Sequence, residues 1–248
     1  MGDSGIPKII HQIWIGDAAR PDEWMDTVKE FAKEYDYEYK LWGDVKELGL
    51  DEIPGLAAVY KGFGHELAGR ADIIRLLVLY KYGGIYIDAD SVIMKPEKFA
   101  NFLKKNRAGV FFGWENLTAA RTRKLGIKSR RLVANGMIGA KKGHPFFRRL
   151  LEGVVENAAR LSEEERSAAW KVVGPLYVTR MYHETRREFP DVHVYPMKYF
   201  YPRHWKGITD PELHKKVKIP GQSMLFQYGY STNSFNKIFK TRRKGRKA

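Results

Sequence analysis

Asp88 and Asp90 close the run GGIYIDAD at residues 83–90, an apolar segment of strand character that ends in two carboxylates one residue apart. In an ideal strand residues i and i+2 point to one face, so this pair can grip one divalent cation. Mg²⁺ and Mn²⁺ take oxygen ligands, commonly one or two carboxylates, and fill their other positions with water or substrate phosphates. Such a site binds a phosphorylated small molecule. An isolated Asp-x-Asp is a weak signal, because acidic pairs abound on loops. Two like charges this close repel, however, and cost stability unless a cation compensates them. Asp72 and Arg75 lie three apart on the preceding segment and share a helix face. On a surface such an ion pair is worth little. Here the helix feeds the acidic strand through only Gly83 and Gly84, so its N-terminal turns can face the same pocket.

The elements that must position these groups follow from periodicity and punctuation. Residues 8–15 (KIIHQIWI), bounded by Pro7 and Gly16, read as a first strand. Pro21 and Asp22 open a helix with Trp24, Val28 and Phe31 at helical spacing, and 37–42 (YEYKLW) alternates as a second strand. The next thirty residues are broken by Pro54, Gly55, Gly62 and Gly64. A helix over 69–82 is stopped by the paired glycines. Helix, tight turn and apolar strand in this order are the unit from which α/β sheets are built. Strands are expected at 92–94, 110–114, 132–140 and 192–195, helices at 144–160 and 176–188, and a capping box at 162–165. Residues 121–131 read as a basic loop and 199–205 as an aromatic loop.

The chain has 248 residues, 44% hydrophobic and 13% aromatic, which suits one folded domain over 1–236. It has no cysteine, so thiolate metal sites, disulfides and a cysteine nucleophile are excluded. No signal-peptide pattern opens it, and no apolar run reaches the roughly 18 residues of a membrane span. The expectation is a cytoplasmic protein, or one trimmed of its anchor. Net charge is +15. The segment 237–248 is a basic tail, a candidate for peripheral contact with an anionic membrane. Nucleophile elbows, phosphate-binding Walker loops and zinc motifs are absent from the sequence.

Three segments, IPKIIHQIWIG, GRADIIRLLVLYKYGGIYIDADSVIMKP and NGMIGAKKGHPFF, together resemble the DxD-containing family of fungal initiating α-1,6-mannosyltransferases and bacterial capsular-polysaccharide enzymes, glycosyltransferase family 32. The resemblance covers residues 6–180 and extends to the large glucosylating toxins. It implies an α/β fold of GT-A type with a mixed central sheet and a nucleotide-sugar donor, a UDP- or GDP-hexose. It further implies that Asp90 ligates Mn²⁺ or Mg²⁺ directly, with Asp88 on the ribose or reaching the metal through water, and that Asp72 and Arg75 contact the donor sugar. By the same resemblance Trp14 stacks on the base, Tyr86 lies beside the donor and Asn135 near its sugar. Stacking of a base on an aromatic is worth about 1–3 kcal/mol. His11 and Gln12 are further candidates for the pocket, although one of them must point inward as strand structure. Relatives complete the metal site with a His or Glu before a C-terminal Ser-Trp. The corresponding stretch here, QYGYSTNSF at 227–235, has neither, leaving Asn233 or Ser234 as a neutral oxygen ligand.

The expected function is a metal-dependent, retaining transfer of a hexose from a nucleoside diphosphate to an acceptor hydroxyl on a glycan, glycolipid or protein. The alternative is a non-catalytic polyanion-binding protein, which accounts for the charge but not for carboxylates gathered at a strand end. A nucleic-acid partner is not expected.

Overall fold

The computed structural model describes residues 5–43, 45, 48–117, 119–124, 130–166, 168–204, 208–230 and 235. Asn233, Ser234 and the basic tail at 237–248 lie outside the described residues. The strands are β1 (Ile9–Ile13), β2 (Glu38–Trp42), β3 (Gly84–Ile87), β4 (Ser91–Ile93), β5 (Val110–Asn116), β6 (Arg131–Ala140), β7 (Val192–Tyr195) and β8 (Leu225–Gln227). The helices are α1 (Asp22–Glu34), α2 (Leu56–Gly62), α3 (Leu67–Tyr82), α4 (Pro96–Lys105), α5 (Ala119–Lys124), α6 (Pro145–Arg160), α7 (Glu163–Arg166), α8 (Ala169–Val172), α9 (Pro175–Thr185) and α10 (Leu213–Lys216).

Six strands form one sheet in the order β2-β1-β3-β6-β5-β7, and β4 pairs with β8 in a separate ribbon. β1 runs parallel to β2 and β3, while β6 is antiparallel to both β3 and β5. The sheet is therefore mixed, and β1, β3 and β5 all present their carboxyl ends at the same edge. One face packs on α3, α6, α8 and α9 through residues such as Ile74, Leu77, Phe147 and Val178. The other packs on α1, α4 and the segment around Phe200 and Tyr201. α3 is apolar almost all round, burying nine residues from Gly69 to Leu79, as a helix enclosed between a sheet and other helices must.

Where α3 turns into β3, Gly83 and Gly84 take φ of 66° and 95°. A Cβ on Gly83 would lie 2.5 Å from the Lys142 amide, and one on Gly84 2.5 Å from Ile9 O. The tight turn thus requires glycine for both conformation and space. Elsewhere the capping box at Ser162 and Glu165 forms as expected, each side chain accepting from the other's amide at 3.2–3.3 Å.

Two expectations are corrected. The unsettled stretch after β2 contains α2, which starts just after Gly55 at φ 83°, so Pro54-Gly55 opens a helix where the sequence suggested a break. The acidic strand also ends earlier than expected. The Asp88 amide makes the last bond to β6, at 2.7 Å to Gly136 O, and the Ser91 amide turns back to Asp88 O at 3.0 Å. Asp88 and Asp90 are thus not successive same-face residues of one strand, because Asp90 sits in the turn that follows.

Candidate active site

Strand alternation does hold for Tyr86 and Asp88, whose side chains meet: the phenol donates to Asp88 Oδ1 at 2.6 Å. Arg75 Nη2 donates to the same oxygen at 2.9 Å and to the Tyr86 hydroxyl at 3.1 Å. Its guanidinium lies 4.3 Å from the centroid of the Tyr86 ring. Arg75 Nη1 reaches Asn135 O at 2.6 Å and Asp72 Oδ1 at 2.9 Å. The Asn135 amide completes the circuit, donating to Asp72 Oδ1 at 2.9 Å. Five expected site residues from α3, β3 and β6 therefore form one network. Asp72 and Arg75 are 8% and 6% exposed, which overturns the surface-ion-pair reading.

Burial opposes the charge on Arg75, yet Tyr86, Asp88 and Asp72 together raise its pKa above the usual guanidinium range. The same burial pushes Asp72 up to about 6 against the pull of Arg75. A guanidinium planted among two carboxylates and a phenol cannot be removed cheaply, since each acid would be left uncompensated in a poorly solvated site.

Asp90 joins from the other side. Its Oδ2 accepts from the Tyr230 amide at 2.8 Å. Gln227, at the end of β8, directs one amide nitrogen to both acids, 2.7 Å from Asp88 Oδ2 and 3.4 Å from Asp90 Oδ1. The two carboxylates thus converge on one point, brought there by the turn and not by strand pleating. Gly136 makes room for this: a Cβ there would lie 2.5 Å from Asp88 Oδ2 and 2.9 Å from the Gln227 nitrogen. Burial, then the neighbouring Asp88, pushes Asp90 up to about 6.

Arg75 offsets the charge of Asp88 from the α3 side, but between the two acids stands only the neutral amide of Gln227, a place that fits a divalent cation. Asp90 Oδ1 has no closer partner than Gln227 among the described residues, whereas Asp88 already accepts three hydrogen bonds. Asp90 is therefore the better placed direct ligand. No group of three or more acidic, histidine or cysteine residues gathers as a metal site among the described residues; an ion held by two carboxylates keeps room for water and substrate oxygens.

Of the remaining candidates, Trp14 lies just beyond β1 at the same sheet edge. Its indole donates to Ala18 O at 3.1 Å and meets the ring of Tyr230 edge-on at 5.3 Å. Tyr230 thereby links Trp14 to Asp90. Gln12 donates to Asp88 O at 3.4 Å and accepts from the Tyr39 hydroxyl at 2.8 Å, so it supports the acidic turn from below. His11 is corrected. Trp42 Nε1 donates to its Nδ1 at 3.1 Å, which leaves Nε2 to donate to Gly83 O at 2.7 Å. Both ring nitrogens are used, and burial lowers the imidazole to about 4. His11 is a neutral brace for the glycine turn.

Gln227, Tyr230 and Gly136 were missed as site residues. The first two lie in the C-terminal stretch that the resemblance marks, but their sequence positions carry no sign of which atom returns to the acids.

A mixed sheet that gathers an acidic pair, a buried arginine and a half-buried tryptophan at the carboxyl ends of its parallel strands has the GT-A architecture. A solved glycosyltransferase involved in glycosylation of the major capsid of PBCV-1 shares this fold with a TM-score of 0.50 and 11% identity, over 94% of this chain and all of that one. Residues 21–108, which include the acidic pair, match the family model described as a glycosyltransferase sugar-binding region containing the DXD motif. The chain is 31% identical over 219 residues to inositol phosphoceramide mannosyltransferase 3 of Schizosaccharomyces pombe, spanning 86% of this chain and 52% of the relative. It is 25% identical over 171 residues to α-1,4-N-acetylglucosaminyltransferase of Homo sapiens, spanning 67% of this chain and 42% of that protein. The chain thus spans about half the length of these relatives. Among the described residues no helix is long and apolar enough to cross a membrane.

Proposed function

We propose that the protein is a metal-dependent, retaining glycosyltransferase that moves a hexose or N-acetylhexosamine from a nucleoside diphosphate to a hydroxyl of a glycan or glycolipid. The observation that carries this reading is the convergence of the Asp72–Arg75–Tyr86–Asp88–Asn135 network with Asp90 and Gln227 at one point of the sheet edge. The two relatives' names differ in the sugar they specify, and so the sugar is left to experiment.

In this reading Asp90, with Asp88 beside it, holds Mn²⁺ or Mg²⁺, and the ion supplies neutralisation of the negative charge that develops on the departing diphosphate. Trp14 stacks on the nucleobase, its ring held edge-on by Tyr230. Arg75 presents its guanidinium to the donor and fixes Asp88, so that the acid cannot rotate away when substrate arrives. Asp72 and Asn135, already aligned by Arg75, accept and donate hydrogen bonds to sugar hydroxyls. The bond from the anomeric carbon to the phosphate oxygen breaks, and a bond from the acceptor oxygen forms on the same face. The acceptor proton passes to the phosphate oxygen that leaves. Asp72 is engaged by Arg75 and Asn135 and so is unsuited to act as a covalent nucleophile.

The test is a panel of GDP-mannose, UDP-glucose, UDP-galactose and UDP-N-acetylglucosamine, each with Mn²⁺, Mg²⁺ or chelator, read as release of free sugar and as thermal stabilisation. Binding at a hundredfold excess over Kd stabilises by about 2.7 kcal/mol. One donor is expected to be hydrolysed and to stabilise the protein only with metal present. Neither effect with any donor sinks the reading.

A further inference from the structure

Beyond the acidic pair, a second polar group lies at the same edge of the sheet. Glu115, near the carboxyl end of β5, has a side chain only 13% exposed and pairs with His204 Nε2 at 3.3 Å. A register shift in the β5–β6 pairing between Phe111 and Gly113 precedes it. Such bulges re-aim the residues that follow. At Gly113 the missing side chain admits Tyr201, since a Cβ would lie 2.9 Å from its ring. Tyr201 is 4% exposed, and its hydroxyl donates to no acceptor among the described residues. The phenol's pKa is raised well above its usual value by burial first, then by Asp88 and Glu115, so both acids lie within electrostatic reach of it.

A buried hydroxyl without a partner costs about 1–3 kcal/mol. Tyr201 packs with Ala134, Met137 and Phe200 on the face of the sheet opposite α3, against Gly113, two residues before Glu115 on β5. The order of strands gives the place a meaning. Trp14 follows β1, Asp88 follows β3, Asn135 belongs to β6 and Glu115 to β5, and these four strands are successive neighbours. With strands about 4.8 Å apart, base, diphosphate and sugar laid across β1, β3 and β6 bring the next group to β5.

Resting on the donor reading above, we propose that Glu115, His204 and Tyr201 form the acceptor subsite and that its ligand is a polyhydroxylated ring, a sugar or a cyclitol. The carboxylate of Glu115 accepts from ring hydroxyls, and the Tyr201 hydroxyl, with no acceptor among the described residues, donates to one of them. A site built to hydrogen-bond a hydroxyl discriminates strongly for it, because its own polar groups are otherwise left unpaired. Glu115 is thus an acceptor-binding residue that selects which hydroxyl approaches the anomeric carbon.

The experiment uses the full chain with the donor identified by the nucleotide-sugar panel. Sugar release to water and transfer to methyl α-mannoside, methyl α-glucoside and myo-inositol are measured side by side for the parent, Glu115→Gln and Tyr201→Phe. Each variant is expected to lower kcat/KM for the accepting compound by about tenfold or more, with a several-fold smaller loss in release to water. Tyr201→Phe is also expected to melt no lower than the parent, because it removes an unpaired hydroxyl. Equal losses in transfer and in release to water would overturn the subsite, as would a lowered melting temperature in Tyr201→Phe. Donor hydrolysis in the parent without transfer to any of the three acceptors would overturn it too. Absence of donor hydrolysis in the parent strikes the donor reading instead, while the melting comparison still decides whether Tyr201 carries an unmet hydrogen bond.

Discussion

Gly136→Ala adds one methyl group at the point where the two acids meet. Gly136 is not among the glycines at positive φ, so alanine suits its backbone and the effect is confined to the new Cβ. That atom would lie 2.5 Å from Asp88 Oδ2, where ordinary contact begins at 3.4 Å. The carboxylate must retreat by about 0.9 Å, or β6 must shift. Retreat strains the bonds from Tyr86 and Gln227 at 2.6 and 2.7 Å and from Arg75 at 2.9 Å. A displacement near 1 Å in a catalytic group costs on the order of 10²-fold in rate, about 2.7 kcal/mol of barrier. Overpacking costs about 1–3 kcal/mol of stability, which for a chain of this size lowers Tm by several degrees. Gly139→Ala is the matched control. Its Cβ would lie 2.0 Å from the Phe111 ring, a clash inside the core and away from the acids. Titration calorimetry with Mn²⁺ and donor hydrolysis are the assays. Gly136→Ala is expected to weaken both, and Gly139→Ala to lose at least as much stability while retaining Mn²⁺ affinity. Parental Mn²⁺ affinity in Gly136→Ala, or equal loss in both variants, would refute the placement of the cation at Asp88 and Asp90.

Asp90→Asn is expected to abolish Mn²⁺ binding while raising the metal-free Tm at pH 7.5, because burial and Asp88 disfavour the ionised acid. A group whose folded pKa is raised to about 6 takes up its proton as pH falls through 6, earlier than in the unfolded chain, so its cost to stability is present above that pH. The Tm advantage of Asp90→Asn should therefore shrink between pH 7 and 5, and Mn²⁺ affinity of the parent should fall over the same range as protons compete; a pH-independent affinity contradicts the assignment. Arg75→Ala leaves Asp72 and Asp88 uncompensated and should cost about 3–5 kcal/mol in urea unfolding, against under 1 kcal/mol for an exposed pair. Deleting residues 237–248 should weaken binding to vesicles containing anionic lipid at low salt, and unchanged binding would return the tail to a solvated segment.

Much of this protein was legible along the chain. β1, β3, β6, α1, α3 and α6 follow from periodicity and from glycine and proline punctuation, since these signals act between near neighbours. α4 was missed although Pro96 stands at its first position, and α2 was hidden by the very Pro54-Gly55 pair that starts it. Asp72, Arg75, Asp88 and Asp90 were named from residue type and spacing, because an acid pair after an apolar run is visible in one dimension.

Their chemistry was decided elsewhere. His11 and Gln12 are adjacent letters in a strand, yet pleating sends one to brace the glycine turn and the other to the acidic turn. Gln227 meets Asp88 at a separation of 139 positions, and Tyr201 meets Gly113 only because a bulge and a missing Cβ let it in. Sequence alone determined which groups are ionisable and which segments must bury themselves, since both are properties of residues and short-range repeats. Only the tertiary structure decided that Arg75 is enclosed, that Asp90 turns back toward Asp88 and that Glu115 stands beyond them, because desolvation and charge proximity depend on distances that the folded chain alone sets.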